Sequence, residues 1–310
     1  MTPVIKQQIV SALENYLSKH RMSANVFVEK SGVNEAYISG MRNETYLVGK
    51  TEIAPKWFEM VAAQIGFELK KSYWTTIPTP QFSNQLSILE DAREYAYTNV
   101  IISETGSGKT FTAETFVKAY PQHSFIIKVG SSDNLSDLID KILDQAKIPT
   151  AKTKSKNING IVSFMKKLKF EGHKPTLILD ECEYMKIPTL CMMKELYDGL
   201  IGNCAIVMIG TDEFLDNLNK LTKRKKAGIR QFYRRIKFSI RILPSINRNF
   251  DGFLDKIQDK ALVKFLRANC DNYGELHDAL VPAMREADRT GQLLTENFVR
   301  KVLNMPEINR

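Results

Sequence analysis

The chain has 310 residues, of which 43% are hydrophobic and 25% are charged, and it carries a formal net charge of +9. This length allows one mid-sized domain and one or two small ones, and the composition is that of an ordinary globular protein. No apolar run is long enough to span a bilayer and no signal-peptide core is evident, so we expect a cytoplasmic protein. The spacing of the four cysteines excludes the usual zinc patterns and favours reduced, buried thiols. They are Cys182, Cys191, Cys204 and Cys270.

Residues 1–71 are predicted to form a small all-α unit. Apolar residues at helical spacing predict a first helix from Val4 to Lys19 and a fourth amphipathic segment from Pro55 to Phe67. Between them, Ser23 is placed to cap a second helix, and a third helix is predicted to begin after Asn34. Four short helices of this kind are enough to form a DNA-binding module or an interaction module.

The pattern Val28-x-x-x-Gly32-Val33-x-x-x-x-Ile38-Ser39 resembles a helix-turn-helix of the phage-repressor type. In it Gly32 takes the turn, and apolar residues on both sides pack the two helices together. An inert helical bundle or a protein-interaction module would show the same pattern, so DNA binding by this unit is one of three interpretations. On the DNA-binding interpretation the recognition helix presents five side chains to the major groove, which are Asn34, Glu35, Tyr37, Ser39 and Arg42.

The pattern of predicted secondary structure changes beyond this unit. Residues 72–83 contain two prolines and little helical periodicity, which predicts an extended linker. Over residues 84–247 predicted strands and helices alternate, which favours an α/β domain with a parallel sheet and helices on both faces. Residues 248–310 show no strand pattern, and three helices are predicted to form a helical lid domain. The predicted strands are 99–102, 124–129, 176–179, 205–209 and 236–242. The predicted helices of the α/β domain are 84–97, 109–119, 133–146, 157–170, 188–200, 212–220 and 228–234.

The sequence Ser103-Glu-Thr-Gly-Ser-Gly-Lys-Thr110 follows the apolar run Val100–Ile102 and is typical of a phosphate-binding loop between a strand and a helix. In such a loop the backbone N–H groups cradle a polyphosphate, the lysine neutralises the β- and γ-phosphates, and the threonine hydroxyl holds Mg²⁺. Ser103 replaces the first glycine of the usual pattern. The sequence therefore predicts that a nucleoside triphosphate and Mg²⁺ are bound by Thr105, Gly106, Ser107, Gly108, Lys109 and Thr110.

Two further predicted strands end in polar residues that suit the same site. The strand 176–179 is followed by Asp180 and Glu181. We expect Asp180 to reach Mg²⁺ through water or the loop threonine, and Glu181 to polarise the attacking water. The alternative is a core strand that ends in a solvated acidic pair. The strand 205–209 leads into Thr211, which is placed either to read the γ-phosphate or to cap the next helix.

The helix predicted at 228–234 carries arginines that are candidates for a finger reaching into the nucleotide of a neighbouring subunit. A guanidinium suits this role because it is permanently charged and its planar fork matches phosphate oxygens. Arg235 is the first choice, with Arg234 and Arg230 behind it. A DNA-facing or solvated surface would also explain several arginines in one short helix.

The positive charge is concentrated in two regions. Residues 215–248 hold eleven Lys or Arg against one acid, a net charge of +10, so the rest of the chain sums to about −1. Residues 147–174 hold eight lysines against one acid. Charge concentrated in this way indicates a polyanionic partner, most simply double-stranded DNA, with a solvated surface as the alternative. The candidate DNA contacts are Lys223, Arg224, Lys225, Lys226, Lys152, Lys154, Lys156 and Arg42.

The order of these features resembles a AAA+ ATPase, and more narrowly the family of phage Mu transposition protein B, the ATP-dependent activators of target DNA. The resemblance extends over nearly the whole chain and implies a P-loop AAA+ core with a helical lid, ATP as the nucleotide, and a bacterial or phage-host cytosol. It also implies head-to-tail self-assembly into helical filaments on non-specific double-stranded DNA, and a transposase or integrase partner that stimulates hydrolysis and disassembly. At the place of an expected sensing arginine this chain has His277. The residues that carry the resemblance are 33–39, 103–110, 177–181, 207–211 and 232–236.

Two other functions are compatible with the sequence. A replication-helicase loader or initiator-like ATPase would share the core and the basic charge, and binding to a replicative helicase would identify it. An ATP-switched transcription regulator would read an operator with residues 1–71 and show little turnover at Glu181. Such a regulator would not need the positive charge of residues 215–248.

Overall fold

The computed structural model describes residues 3–20, 22–67 and 73–306. The chain divides into two compact units, Met1–Thr75 and Thr76–Arg310, called here the N-terminal unit and the C-terminal unit. Along the described ranges, no helix combines the length and the apolar character that crossing a membrane requires.

The N-terminal unit contains the predicted helices, and the predicted cap at Ser23 and the predicted helix start after Asn34 are confirmed. Ser23 accepts a hydrogen bond from the N–H of Val26 at the start of the second helix, and Gly32 ends that helix at a φ of 67°. Asn34 accepts a hydrogen bond from the N–H of Ala36 at the start of the third. The elements are α1 (Pro3–Lys19), α2 (Ala24–Ser31), α3 (Glu35–Arg42), β1 (Leu47–Val48), β2 (Thr51–Glu52) and α4 (Pro55–Ile65).

The expectation of an all-α unit is wrong at one place, because β1 and β2 form an antiparallel hairpin. Leu47 lies opposite Glu52, and Val48 lies opposite Thr51. Gly49 has a φ of 62° in the two-residue turn that joins the strands, a conformation that favours glycine. Strands of two residues are too short for an alternating apolar pattern, so the glycine is the local signal that the sequence offers.

The C-terminal unit is built on a five-stranded parallel sheet, as predicted, with the strands in the spatial order β4-β5-β6-β3-β7. These strands are β3 (Thr98–Ile102), β4 (Ser124–Lys128), β5 (Thr176–Asp180), β6 (Ala205–Gly210) and β7 (Ile240–Ile242). The prediction for the fifth strand, 236–242, is too long. Ile236 is buried with Ile229 and Phe232 along one stripe of the preceding helix, so helical spacing prevails there over the alternation that follows.

Helices cover both faces of the sheet, and the side chains of β3 show how the faces alternate. Val100 and Ile102 point into one core, and Ile101 points into the other. The first core is covered by α7 (Leu135–Ala146), α8 (Lys154–Phe170), α9 (Ile187–Leu200), α10 (Asp212–Lys223) and α11 (Ile229–Ile236). The second core is covered by α5 (Pro80–Tyr95) and α6 (Lys109–Ala119).

The predicted linker, residues 72–83, is too long because α5 already begins at Pro80. Thr79 accepts a hydrogen bond from the N–H of Phe82, and a proline in the first turn suits a helix start. Thr79 and Pro80 therefore mark the start of a helix. The two prolines of the segment had instead suggested that it was an extended linker.

Three helices follow the sheet, as predicted: α12 (Lys260–Asn269), α13 (Tyr273–Thr290) and α14 (Glu296–Val302). They belong to the same compact unit as the sheet, and the part of the chain from residue 248 onwards is called here the lid domain. Gln81 of α5 anchors them to the α/β core. Its side-chain amide donates hydrogen bonds to the carbonyl oxygens of Pro244 and Ser245, and it accepts one of 3.0 Å from the hydroxyl of Tyr273. The first residue of α13 is thereby fixed against the start of α5.

All four cysteines are free. Burial raises the pKa of Cys204 to about 12 and that of Cys270 to about 11, and it also raises the pKa of Cys182. The prediction of reduced, buried thiols is confirmed for these three, whereas Cys191 is partly exposed. Among the described residues, no group of three or more His, Cys, Asp or Glu is arranged to hold a metal ion.

Candidate nucleotide-binding site

The predicted phosphate-binding loop lies between β3 and α6. Gly106 and Gly108 have φ angles of 72° and 86°, values at which a residue with a side chain is strained. Gly108 is the N-cap residue of α6, and no side chain caps this helix. The first N–H groups of α6 are therefore left for a ligand, which is the arrangement that binds anions at helix N-termini.

Ser103, which replaces the first glycine of the usual pattern, holds the loop together. Its hydroxyl donates a hydrogen bond of 2.9 Å to the hydroxyl of Ser107, and both residues are buried. This contact joins the beginning of the loop to its end. The replacement therefore adds an internal bond and removes no side chain that would contact a phosphate.

Lys109 is suited to binding an anion. Its ammonium donates hydrogen bonds to the carbonyl oxygens of Ser103 and Glu104, at 3.0 and 2.7 Å. Burial lowers the pKa of Lys109, although the nearby carboxylates of Glu183 and Asp180 act in the opposite direction. A desolvated cation of this kind is stabilised by an anionic ligand, because opposite charge restores the pKa. The loop residues therefore fit a polyphosphate.

Thr110 and Asp180, 70 residues apart in the chain, meet directly. The hydroxyl of Thr110 donates a hydrogen bond of 2.6 Å to Oδ2 of Asp180. Asp180 is 1% exposed, and its other oxygen accepts a hydrogen bond of 2.9 Å from the N–H of Glu181. A hydroxyl and a carboxylate at this position are oxygen ligands of the type that Mg²⁺ prefers. The two motifs thus belong to one site.

Glu181, the predicted base, is held in two ways. Its φ of 58° lies in the left-handed region, a strained conformation for a residue with a side chain and one that clusters at functional sites. Its carboxylate forms an ion pair of 2.9 Å with Lys128, which lies opposite Asp180 on the neighbouring strand β4. The pair raises the pKa of Lys128. The ion pair holds the Glu181 carboxylate on Lys128, so Lys128 restrains Glu181.

Replacing Lys128 by glutamine is expected to raise ATP hydrolysis in the absence of DNA by about two- to fivefold, the effect of releasing one exposed ion pair. The measurement is steady-state phosphate release at saturating nucleotide. Lys174→Gln is the matched control. Lys174 also forms an ion pair, with Glu94 at 2.5 Å, but it precedes β5 and therefore lies at the end of that strand opposite to Glu181. A rate equal to or below that of the unmodified protein would show that Lys128 does not restrain Glu181.

Thr211 follows β6, the strand that pairs directly with β3. It is the N-cap residue of α10, but its hydroxyl makes no capping hydrogen bond, and its Oγ1 is buried with no hydrogen-bond partner in the described part of the chain. The N–H of Thr211 donates to Oε2 of Glu183 at 3.4 Å. Among the charged groups that act on Lys109, Glu183 has the largest effect. Sequence analysis missed Glu183, although it lies only two residues beyond Glu181.

The start of α13 contacts the phosphate-binding loop. The N–H of Gly274 donates to the carbonyl oxygen of Gly106 at 3.3 Å. A Cβ at Gly106 would lie 2.2 Å from Oδ1 of Asn272, so this glycine is required by close approach as well as by its φ. His277 lies one turn further along α13, where Nδ1 is 3.0 Å from Oδ1 of Asp278. The lid domain thus contacts the loop through Asn272 and Gly274.

Arg248 is a second residue that sequence analysis missed. It lies between β7 and α12, and its guanidinium is 4.0 Å from the carboxylate of Glu104 and 3.4 Å from that of Asp271. Glu104 belongs to the phosphate-binding loop and Asp271 immediately precedes the N-cap of α13. Arg248 therefore links the loop to the lid, and its place in the chain shows no local pattern that would have revealed this.

Arg235, the first choice for a finger, is engaged within its own subunit. Its guanidinium donates to both carboxylate oxygens of Asp198 at 2.5 and 2.8 Å, and to the carbonyl oxygen of Gln231 at 2.8 Å. Arg230 and Arg234 on the same helix are exposed. Arg235 would have to leave Asp198 in order to act on a neighbouring subunit, whereas the other two would not.

Replacing Arg235 by alanine is expected to lower the free energy of unfolding by about 1 kcal/mol, because the two-pronged pair with Asp198 is lost. Urea unfolding measures it. Arg234→Ala is the comparison, and its free energy of unfolding is expected to be unchanged. Hydrolysis that needs a neighbouring subunit rises with protein concentration, and we expect this variant to lose that part of the activity. Full stability together with lost hydrolysis in Arg235→Ala would instead identify Arg235 as the finger.

The candidate DNA contacts are exposed and come from three separate segments of the chain. Lys223 ends α10, and Arg224, Lys225 and Lys226 form the turn after it. Lys152 precedes α8, while Lys154 and Lys156 occupy its first turn. Both groups belong to the side of the sheet that α7 to α11 cover. In the N-terminal unit, Arg42 donates to Glu14 at 2.5 and 3.3 Å, and this contact raises the pKa of Arg42.

Comparisons with known proteins agree with this geometry. Residues 92–218 match the AAA domain family. The C-terminal unit has the AAA+ P-loop ATPase fold. The chain is similar to the ORC2 protein of Aeropyrum pernix, solved in ADPNP–ADP complexes, with a TM-score of 0.55 and 16% identity over 78% of this chain and 71% of that one. It is also similar to CDC6P of Pyrobaculum aerophilum, with a TM-score of 0.57 and 15% identity over 77% of this chain and 71% of that one. No curated protein matches the sequence significantly.

Proposed function

We propose that this chain is an ATP-dependent, DNA-binding ATPase that assembles head to tail on double-stranded DNA. The observation that carries the proposal is the meeting of Lys109, Thr110 and Asp180 in one site, which fits a polyphosphate and Mg²⁺. The A. pernix protein of the same fold was solved with ADPNP and ADP, which supports an adenine nucleotide. ATP rather than GTP follows from the resemblance to AAA+ proteins.

Each site residue has a proposed role. Bound Mg-ATP would supply the phosphoanhydride bond that is hydrolysed and the negative charge that the site neutralises. Lys109 binds the phosphates, while Thr110 and Asp180 supply oxygen ligands to the metal. Glu181, once free of Lys128, accepts a proton from the attacking water. Thr211, with its buried and unpartnered hydroxyl, positions that water or the γ-phosphate.

The exposed arginines of α11 support self-assembly. Arg230 and Arg234 are free to contact a neighbouring subunit, and a guanidinium matches the oxygens of a phosphate. Contacts between two unlike surfaces that do not close into a ring give a helical polymer. An arginine from one subunit would then complete the nucleotide site of the next, so that ATP favours the assembled form.

The exposed basic turn after α10 is the proposed DNA contact. Changing Lys223, Arg224, Lys225 and Lys226 to glutamate is expected to weaken duplex affinity by about 100-fold or more at 0.1 M salt and to flatten its dependence on salt. The control reverses the charge of four exposed lysines of the lid domain: Lys256, Lys260, Lys264 and Lys301. Equal affinities of the two variants would show that charge at this turn is not specifically used.

Two biological roles are compatible with this biochemistry. The fold comparison favours an initiator-like or helicase-loader ATPase, since ORC2 and CDC6P share the fold over three quarters of this chain. Activation of target DNA for a transposase is the second candidate, and the pair of helices joined at Gly32, ahead of a small core, supports it. Capture of a replicative helicase, or stimulation of hydrolysis by a transposase, separates these roles.

Negative-stain electron microscopy of the protein on linear duplex DNA tests the proposed assembly. We expect regular helical coats with Mg-ATP and none without nucleotide. Isolated particles at one sequence, independent of ATP, would contradict assembly and favour a regulator that reads an operator with residues 1–71.

A further inference from the structure

The sheet edge opposite the nucleotide site exposes large apolar side chains. All five strands are parallel, so the segments that lead into them meet at one edge and the nucleotide site lies at the other. Phe170, which precedes β5, is 93% exposed, and Phe238, which precedes β7, is 82% exposed. We call this the N-terminal edge surface, and its apolar members are Tyr95, Tyr97, Phe170, Ile201 and Phe238, all more than half exposed.

These residues lie in the segments that lead into four adjacent strands, in the order β5-β6-β3-β7. Phe170 ends α8 on one face of the sheet, and Tyr95 ends α5 on the other. At this edge the N–H of Ile206 donates to the carbonyl oxygen of Tyr97, and the N–H of Val100 donates to that of Ser239. The rings of Tyr95 and Tyr97 are stacked, with centroids 5.5 Å apart. Tyr97 and the residue after Phe238 are therefore held at this edge by the sheet itself.

Cations are interleaved with these rings. The ammonium of Lys237 lies 4.5 Å from the ring centroid of Phe238, and Arg241 donates back to the carbonyl oxygen of Phe238 at 2.9 Å. Lys169 immediately precedes Phe170. Three acids near these residues are paired with basic side chains: Glu94 with Lys174, Glu171 with Lys167 and Asp198 with Arg235. The surface is therefore aromatic and positively charged.

We propose that the N-terminal edge surface binds single-stranded nucleic acid, with its rings stacked on unpaired bases and its cations on phosphates. Alternating rings and cations match a strand of alternating bases and phosphates. A duplex hides the faces of its bases, so the exposed rings would give duplex DNA little advantage. Large exposed apolar rings on one edge also indicate a binding surface in general. This inference does not depend on the proposed function.

The test is fluorescence anisotropy of a labelled twelve-nucleotide thymidine strand, titrated with the full chain without nucleotide, so that ATP-driven assembly does not contribute. The double variant Phe170→Ala, Phe238→Ala is expected to bind at least about fivefold more weakly, the loss of one or two stacked bases. Leu293→Ala is the control, because Leu293 in the lid domain is equally apolar and 82% exposed. Its affinity is expected to equal that of the unmodified protein.

A second measurement reports contact directly. In Phe238→Trp, binding of the strand is expected to quench tryptophan fluorescence beyond any change in the unmodified protein. Duplex affinity with Mg-ATP is expected to be unchanged in the double alanine variant. Unchanged single-strand affinity in that variant overturns the proposal. This is also the result expected if the surface binds a protein partner instead. An equal loss of duplex affinity overturns it as well, because it would show general damage.

Discussion

Replacing Lys109 by alanine is expected to weaken ATP binding by about 100-fold or more, the effect of losing a charge-assisted contact to phosphate in a desolvated site. Lys109 is half-buried at the loop, and burial lowers its pKa, so an anion beside it stabilises the charged form. Hydrolysis and any ATP-dependent DNA binding are expected to disappear with nucleotide binding. The measurement is titration calorimetry with a slowly hydrolysed ATP analogue.

The control for this experiment is Lys118→Ala, since Lys118 is exposed on the same helix, α6. Thermal unfolding of both variants checks that the loop still folds when the carbonyl oxygens of Ser103 and Glu104 lose their donor. Nucleotide affinity within a few-fold of the unmodified protein, in a folded Lys109→Ala variant, would show that this loop is not the phosphate site.

Replacing Glu181 by glutamine is expected to lower the rate of hydrolysis by about 100- to 10,000-fold, the usual contribution of a general base. ATP affinity is expected to stay within a few-fold, because Lys109, Thr110 and Asp180 remain in place. A protein that binds ATP and cannot hydrolyse it would stay assembled, so its release from duplex DNA is expected to slow strongly. Single-turnover phosphate release and dissociation from DNA measure the two effects.

The comparison variant is Glu114→Gln, an exposed glutamate of α6 that has no contact with the site. It is expected to behave as the unmodified protein does. Slow hydrolysis in both variants would indicate a general effect of charge. Normal hydrolysis in Glu181→Gln would leave Glu183, which lies beside Thr211, as the carboxylate to examine next.

The arrangement of the candidate phosphate site was predictable from the sequence because its residues lie at the ends of regular elements. Lys109 begins α6, Asp180 ends β5 and Thr211 follows β6, and the carboxyl ends of adjacent parallel strands must meet at one edge. The element boundaries were less accurate where two patterns competed. Pro80 lies in the predicted linker but starts α5, and Ile236 lies in the predicted fifth strand but ends α11.

Contacts between distant residues were not predictable in the same way. The pairing of Lys128 with Glu181 depends on the register of β4 against β5, which local patterns do not specify. Arg248 and Asn272 reach the phosphate-binding loop through the fold of the lid domain. The exposed rings at the N-terminal edge surface are scattered along the sequence, and only the order of the strands places them side by side.

The most direct test of nucleotide-controlled DNA binding is anisotropy of a labelled random-sequence duplex titrated with the full chain, with Mg-ATP and without nucleotide. We predict tight, cooperative and salt-sensitive binding only when ATP is present. Binding that is the same without ATP, or that is confined to one sequence, would contradict the account.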